Sequence, residues 1–254
     1  MTDLAGRQVG TSIASFFHRC FGPGFANGIG IDIWLKLLAE NRFGVGLPHL
    51  GRVATITAAS CLNSLVGMGE QILFGQAIRR ATVRPPLFVL GLARSGTSHL
   101  HTLLARDDRF SFPNTFQALN PRIFLTTEGW FAPIQDLLIP SPRPMDNMAM
   151  NAKSPIEDEF AIMGLSAVSP FCAWLFPRSN RQYDRDWDLS LASNEERERW
   201  KLALMLFLRK LQYRDQRPLI LKSPSHTPRI PLLLELFPEA KFVHIVSGRL
   251  KPAT

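Results

Sequence analysis

One short stretch, residues 86–108 (PLFVLGLARSGTSHLHTLLARDD), limits what this chain can fold into more than any other. Its run Leu87 to Leu90 is wholly apolar and includes Phe and Val, the composition of a strand buried on both faces. Gly91 breaks the run, and residues 92–98 are small and rich in hydroxyls. From Thr97 the pattern turns helical, with Leu100, Leu103 and Leu104 read as one face and Asp107 and Asp108 closing it. Strand, glycine turn and helix start, in that order, leave backbone N–H groups unpaired at the positive end of the helix dipole. Arg94 and the hydroxyls of Ser95, Thr97 and Ser98 add charge and donors, so a phosphate-like anion is the expected occupant. The spacing from Gly91 to Ser98 is that of Gly-x4-Gly-Lys-Ser/Thr, but Thr97 stands where the lysine belongs. That lysine reaches the β- and γ-phosphates of a nucleotide, and its replacement argues against a kinase or NTPase.

The remaining chain frames this turn. Its net charge of +8 is spread without a basic block, which fits an anionic ligand, and no nucleic-acid motif accompanies it. Cys20, Cys61 and Cys172 are odd in number and far apart, so neither a disulfide framework nor a metal site is expected. A reducing, cytoplasmic setting follows, and the first ten residues lack the pattern of a secretory signal.

Ile31 to Glu40 reads as a helix. Residues 53–69 carry no charge but fall short of the ~20 needed to cross a bilayer. Leu62, Leu65, Val66, Ile72 and Leu73 recur at helical spacing, and the reading is a helix packed on the domain through that face. The alternative is peripheral membrane contact through these N-terminal helices. Residues 110–144 are rich in proline and read as loops, where Phe112, Phe116, Phe124, Trp130 and Phe131 would suit an apolar acceptor or ordinary packing.

Ser154 and Pro155 are read as opening a helix with an acidic first turn (Glu157, Asp158, Glu159) that runs on to Pro177 with a kink at Pro170. Ser193 and Glu196 form a capping box before Trp200, Ala203, Leu204, Phe207, Leu208 and Leu211, the strongest helical stripe in the chain. A strand at 219–222, a helix at 228–236 and a strand at 241–246 complete a βαβ unit, so a parallel sheet is predicted.

Residues 94–98 resemble the 5′-phosphosulfate loop of sulfotransferases that use 3′-phosphoadenosine 5′-phosphosulfate (PAPS). Three further blocks are similar to the bacterial-type branch of that family: residues 112–121 (FPNTFQALNP), 154–160 (SPIEDEF) and 219–245 (LILKSPSHTPRIPLLLELFPEAKFVHI). The resemblance implies a P-loop-like, three-layer α/β fold with a central parallel sheet. It divides the chain into an N-terminal helical extension (1–82) and a sulfotransferase domain (83–254). It also implies sulfuryl transfer from PAPS to a hydroxyl or amine of a small molecule, lipid or glycan, without a metal. Arg94, Ser95, Gly96, Thr97 and Ser98 would hold the 5′-phosphate and sulfonate, and Lys222 would lie near the bridging oxygen. For the catalytic base His226 comes first and Glu157 next, ahead of Glu159. Gln117 stands where many members carry a glutamate. His99 and His101 face different ways and are not read as metal ligands.

After Val246 the resemblance calls for Arg-Asp-Pro and a later serine to hold the 3′-phosphate, and residues 247–254 do not supply them. A truncated or frame-shifted product is therefore expected, with the C-terminal part of the fold missing and activity impaired; only its charge speaks for Arg249 as a substitute, two positions away. A non-catalytic remnant that binds a partner is the competing expectation.

Overall fold

The computed structural model describes residue 26 and residues 28–137 and 150–246. The expectations about the 3′-phosphate site and Arg249 fall on residues 247–254, outside the described residues. Two helices come first, α1 (Ile31–Glu40) and α2 (Leu50–Arg80). Strand β1 (Leu87–Leu90) then runs into α3 (Thr97–Leu104), followed by α4 (Thr115–Leu119), α5 (Phe124–Asp136) and α6 (Glu159–Ser166). Short 3-10 turns at Pro170–Trp174 and Pro177–Asp186 lead to α7 (Asn194–Arg214). The chain continues through β2 (Ile220–Lys222), a 3-10 turn at Pro224–His226, α8 (Ile230–Leu236) and β3 (Lys241–His244).

The described sheet has the order β2-β1-β3, with both pairings parallel. β1 lies in the centre, Val89 opposite Lys222 on one side and Val243 on the other. Phe88, Val89 and Leu90 are buried, as a doubly covered strand requires, whereas β3 is the exposed edge. The fold is thus the P-loop-like α/β arrangement the sequence implies, with a helical N-terminal region in front of it.

α7 follows its sequence pattern closely. Ser193 Oγ accepts the Glu196 N–H at 3.2 Å while Glu196 Oε2 accepts the Ser193 N–H at 2.8 Å, and all six residues of the apolar stripe are buried. Burial of that kind is worth about 1.5–3 kcal/mol for each large side chain. The stripe shares the main core with Phe88, Phe116, Phe124 and Leu221, and Phe207 meets Phe124 edge-on at 6.1 Å. A second core joins Trp34 and Leu37 of α1 and Ile56 of α2 to Met163, Phe171 and Tyr183.

α2 is a helix, but the face it buries is not the apolar one. Leu62, Leu65, Val66, Ile72 and Leu73 all point to solvent, Ile72 with 84% of its surface exposed and Leu73 with 71%. The packed stripe is instead Ile56, Ser60, Asn63, Glu70 and Ile78, with the small Gly67 against Arg122. Polar groups decide this. Ser64 Oγ accepts the Ile31 N–H at the start of α1 (2.9 Å), and Asn63 donates to the Ile29 carbonyl (3.3 Å). Glu70 pairs with Lys210 of α7 inside the protein, where an unpaired charge would be costly.

Two further helices differ from their patterns. The stretch 160–177 is not one kinked helix: α6 ends where Ala167 adopts φ +59°, and Ser169 caps a separate 3-10 turn that begins at Pro170. On α3 the buried positions are Thr97 and His101, not the leucines, and Leu103 is exposed. Among the described residues no helix is long and apolar enough to cross a membrane.

Candidate active site

The turn after β1 opens at the C-terminal ends of the strands, where ligands gather in parallel α/β sheets. Its shape rests on residues that accept positive φ. Gly91 sits at φ +149° and Gly96 at +96°, with Arg94 at +70° between them. A Cβ at Gly91 would lie 2.8 Å from both Ser95 Oγ and Thr97 Cγ2, so no larger residue fits there. Ser95 Oγ donates to the Leu92 carbonyl (2.7 Å), and the Gly91 N–H donates to Thr227 Oγ1 (3.0 Å), tying the turn to the segment after β2.

Gly96 occupies the N-cap of α3, yet no side chain caps the helix, and a Cβ there would meet nothing within 4 Å. The strand, glycine turn and helix start read from the sequence are therefore formed, and no side chain caps the helix. Beside it, Lys222 at the end of β2 extends Nζ to 3.2 Å from Ser98 Oγ and 2.5 Å from Glu157 Oε1.

Glu157, Asp158 and Glu159 each meet one base from the segment that leaves β2. Glu157 takes Lys222, Asp158 takes His226 (Nε2 to Oδ2 2.9 Å), and Glu159 takes Arg229 (Nη1 to Oε2 2.8 Å). Only Glu159 belongs to α6, so the acidic trio does not serve as the charged first turn of a helix. The inner two pairs have no exposed side-chain surface; the outer pair keeps 18% on the glutamate.

Arg229 also lies over the Trp200 ring at 5.1 Å and donates to the Trp187 carbonyl at 3.1 Å, while Ser225 Oγ donates to Glu159 at 2.6 Å. His226 is held edge-on to Phe88, with ring centres 5.1 Å apart, and its Nδ1 is buried without a partner. Burial alone would raise the Asp158 carboxyl, but the charge and hydrogen bond of His226 outweigh it and hold the acid below its ordinary value.

The structure therefore brings Lys222, Glu157 and the 94–98 turn together and places His226 in the interior, away from solvent. The sequence reading takes His101 only as not a metal ligand, whereas the structure sets it close enough to feel the Lys222 charge. His101, buried on α3, is pushed down to about 3 by burial and then by the Lys222 charge, so it stays neutral at ordinary pH. The i, i+4 spacing of Thr97 and His101 was the available signal. His99 is exposed on another face, as expected. Gln117 completes a capping box with Asn114 on α4 and donates to Glu128 Oε2 (3.2 Å), a carboxylate that also pairs with Arg214 (3.0 Å). Among the described residues, no group of three or more His, Cys, Asp or Glu is arranged to hold a metal.

An open strand–turn–helix cradle on a parallel sheet, with a strand-end lysine beside it, defines a P-loop-like α/β protein. The model of the sulfotransferase family matches residues 85–246, and the chain belongs to that family. It is 39% identical over 220 residues to omega-hydroxy-beta-dihydromenaquinone-9 sulfotransferase Stf3 from Mycobacterium bovis and from Mycobacterium tuberculosis. That match takes in 86% of this chain and 56% of each relative, so the chain spans about half the length of the curated relatives it matches.

Two solved structures share the fold. Sulfotransferase STF1 from Mycobacterium tuberculosis superposes with a TM-score of 0.57 at 18% identity, covering 89% of this chain and 62% of that one. Sulfotransferase STF9 from Mycobacterium avium gives 0.57 at 20% identity, covering 87% and 63%.

Proposed function

We propose that the turn formed by Arg94, Ser95, Gly96, Thr97 and Ser98 binds the 5′-phosphosulfate end of PAPS, and that the protein passes the sulfuryl group to a hydroxyl of a lipid-like acceptor. One observation carries this reading: an uncapped, unfilled helix N-terminus with a nearly buried lysine 3.2 Å from its Ser98 hydroxyl. PAPS supplies a sulfur already bonded to a phosphate leaving group. As that S–O bond breaks and a new one forms to the acceptor, negative charge grows on the bridging oxygen. Lys222 is the cation placed to meet it, and the backbone N–H groups at the start of α3 hold the remaining oxygens.

The acceptor hydroxyl must give up its proton. Glu157 keeps part of its surface open and touches Lys222, so it fits the role of base. His226 is fully enclosed and its Nε2 is committed to Asp158, which makes it a positioning residue for the β2 end. Thr97 in place of a P-loop lysine disfavours ATP as the donor.

The two mycobacterial relatives are named for a menaquinone derivative, which favours a hydroxyl on an apolar molecule. On the same reading the exposed face of α2, bounded by Arg79 and Arg80 and free of exposed acid, rests on a lipid surface. Leu65→Glu with Ile72→Glu should release the protein from anionic vesicles while leaving its unfolding midpoint in place; unchanged vesicle binding defeats that part. The central test is transfer of label from radioactive PAPS to a long-chain alcohol, together with calorimetric titration of PAPS. Transfer that disappears in Lys222→Ala supports the reading. Absence of both transfer and PAPS binding overturns it.

A further inference from the structure

A second cavity, of about 300 Å³, lies between the start of α2 and the 3-10 turns that follow α6, and no residue of the cradle or of the ion pairs lines it. Its apolar walls are Trp34, Val53, Ile56, Trp174, Leu175 and Phe176, with the Trp34 and Phe176 rings stacked at 6.3 Å. Arg52, His49 and Arg178 also line it, and no Asp or Glu does.

Arg52 is half-buried and makes no hydrogen bond or ion pair among the described residues. Partly buried Arg122, by contrast, is answered by Asp32 at 2.8 Å. Leaving a guanidinium partly out of water without a counter-charge is unfavourable, and an anion entering the cavity relieves it. The local field favours the same sign. α2 is 31 residues long, His49 at its N-cap supplies no side-chain hydrogen bond, and the positive end of its dipole falls beside Arg52.

We propose that this cavity binds an amphipathic anion: a carboxylate or sulfate head on Arg52, with a single unbranched apolar tail against the Trp34 and Phe176 wall. Its volume stands at the small end of the roughly 300–1,000 Å³ usual for ligand sites, which suits one chain of moderate length. Exposed Phe43, Leu47 and Leu50 lie next to the lining residues in sequence and give such a ligand an apolar approach.

The proposal does not depend on sulfuryl transfer, since the cavity shares no lining residue with the turn after β1 or with the three ion pairs. The test is titration with dodecanoate below its micelle concentration, read by tryptophan fluorescence and calorimetry, beside dodecan-1-ol and butanoate. Expected are saturable one-site binding of dodecanoate and at least tenfold weaker binding of each comparison compound. Arg52→Ala should lose tenfold or more, about 1.4 kcal/mol, and Arg52→Lys should retain most of the affinity. Val53→Phe, which narrows the cavity with Arg52 intact, should also weaken binding and settles the matter if Arg52→Ala fails to fold. Equal affinity for the acid and the alcohol overturns the proposal, as does undiminished binding by folded Arg52→Ala or by Val53→Phe.

Discussion

The turn after β1 and the row of ion pairs beside it are made of similar polar residues and are used in opposite ways. The turn leaves its helix start uncapped: no side chain bonds the first turn of α3, and Ser95 spends its hydroxyl on closing the loop. The row satisfies itself, each of Glu157, Asp158 and Glu159 taking one base from the end of β2 or the chain just after it. Exposure grades along it, from Glu159 with Arg229, where nothing is open, to Glu157 with Lys222, where the acid keeps 18%. A charged side chain is thus committed to the fold or to a ligand by what surrounds it. Lys222 belongs to both regions.

The largest effect should come from the inner end of the row. Arg229→Ala strands the buried Glu159 carboxylate and should cost about 3–5 kcal/mol, measured as a fall in the urea midpoint. A cost under 1 kcal/mol would remove the distinction between the two regions. Next is Lys222→Ala, expected to lower sulfuryl transfer about 10²–10³-fold with little loss of stability, because Glu157 can reach water. An equal loss in the unfolding curve would move Lys222 wholly into the structural group.

The third contrast is in pH. Asp158 has a folded pKa below its ordinary 3.8, so its contribution is complete above that value and is lost as pH falls through the lower one. His101, held at about 3 against an ordinary 6.5, contributes stability that is present above 6.5 and drains away as pH falls toward 3. Asp186 runs the other way: burial raises it to about 7, and its protonated folded form loses stability as pH climbs from 3.8 through 7. Denaturation of Asp186→Asn across pH 4–7 should therefore show a steeper decline on acidification than the parent. Parallel curves would contradict the assignment. The smallest effect is expected from exposed Arg94, where substitution by Ala should weaken PAPS binding about tenfold, or ~1.4 kcal/mol, and leave the unfolding midpoint unchanged.

The cradle was legible in the sequence because everything that makes it lies within a dozen residues: an apolar run, Gly91, Gly96 and a helix start. α7 was legible for the same reason, since its cap and stripe are local. The row of pairs was not, because residues 157–159 and 222–229 meet only through the tertiary fold, and the acids looked like ordinary helix-start charge. α2 misled in another way. Periodicity located its two faces correctly, but the choice of which to bury was made by Glu70 finding Lys210 and by Ser64 and Asn63 meeting the start of α1. The order of Leu100, Leu103 and Leu104 on α3 failed similarly, because Thr97 and His101 turn inward toward Lys222.

The central position of β1 has a consequence for how the turn after it comes into being. Both strands that flank it, and the threonine hydroxyl that steadies Gly91, arrive from more than 120 residues further along. Closing so long a stretch of chain is slow, and no local shortcut exists. During synthesis the shape of that turn therefore waits on the docking of the later strands.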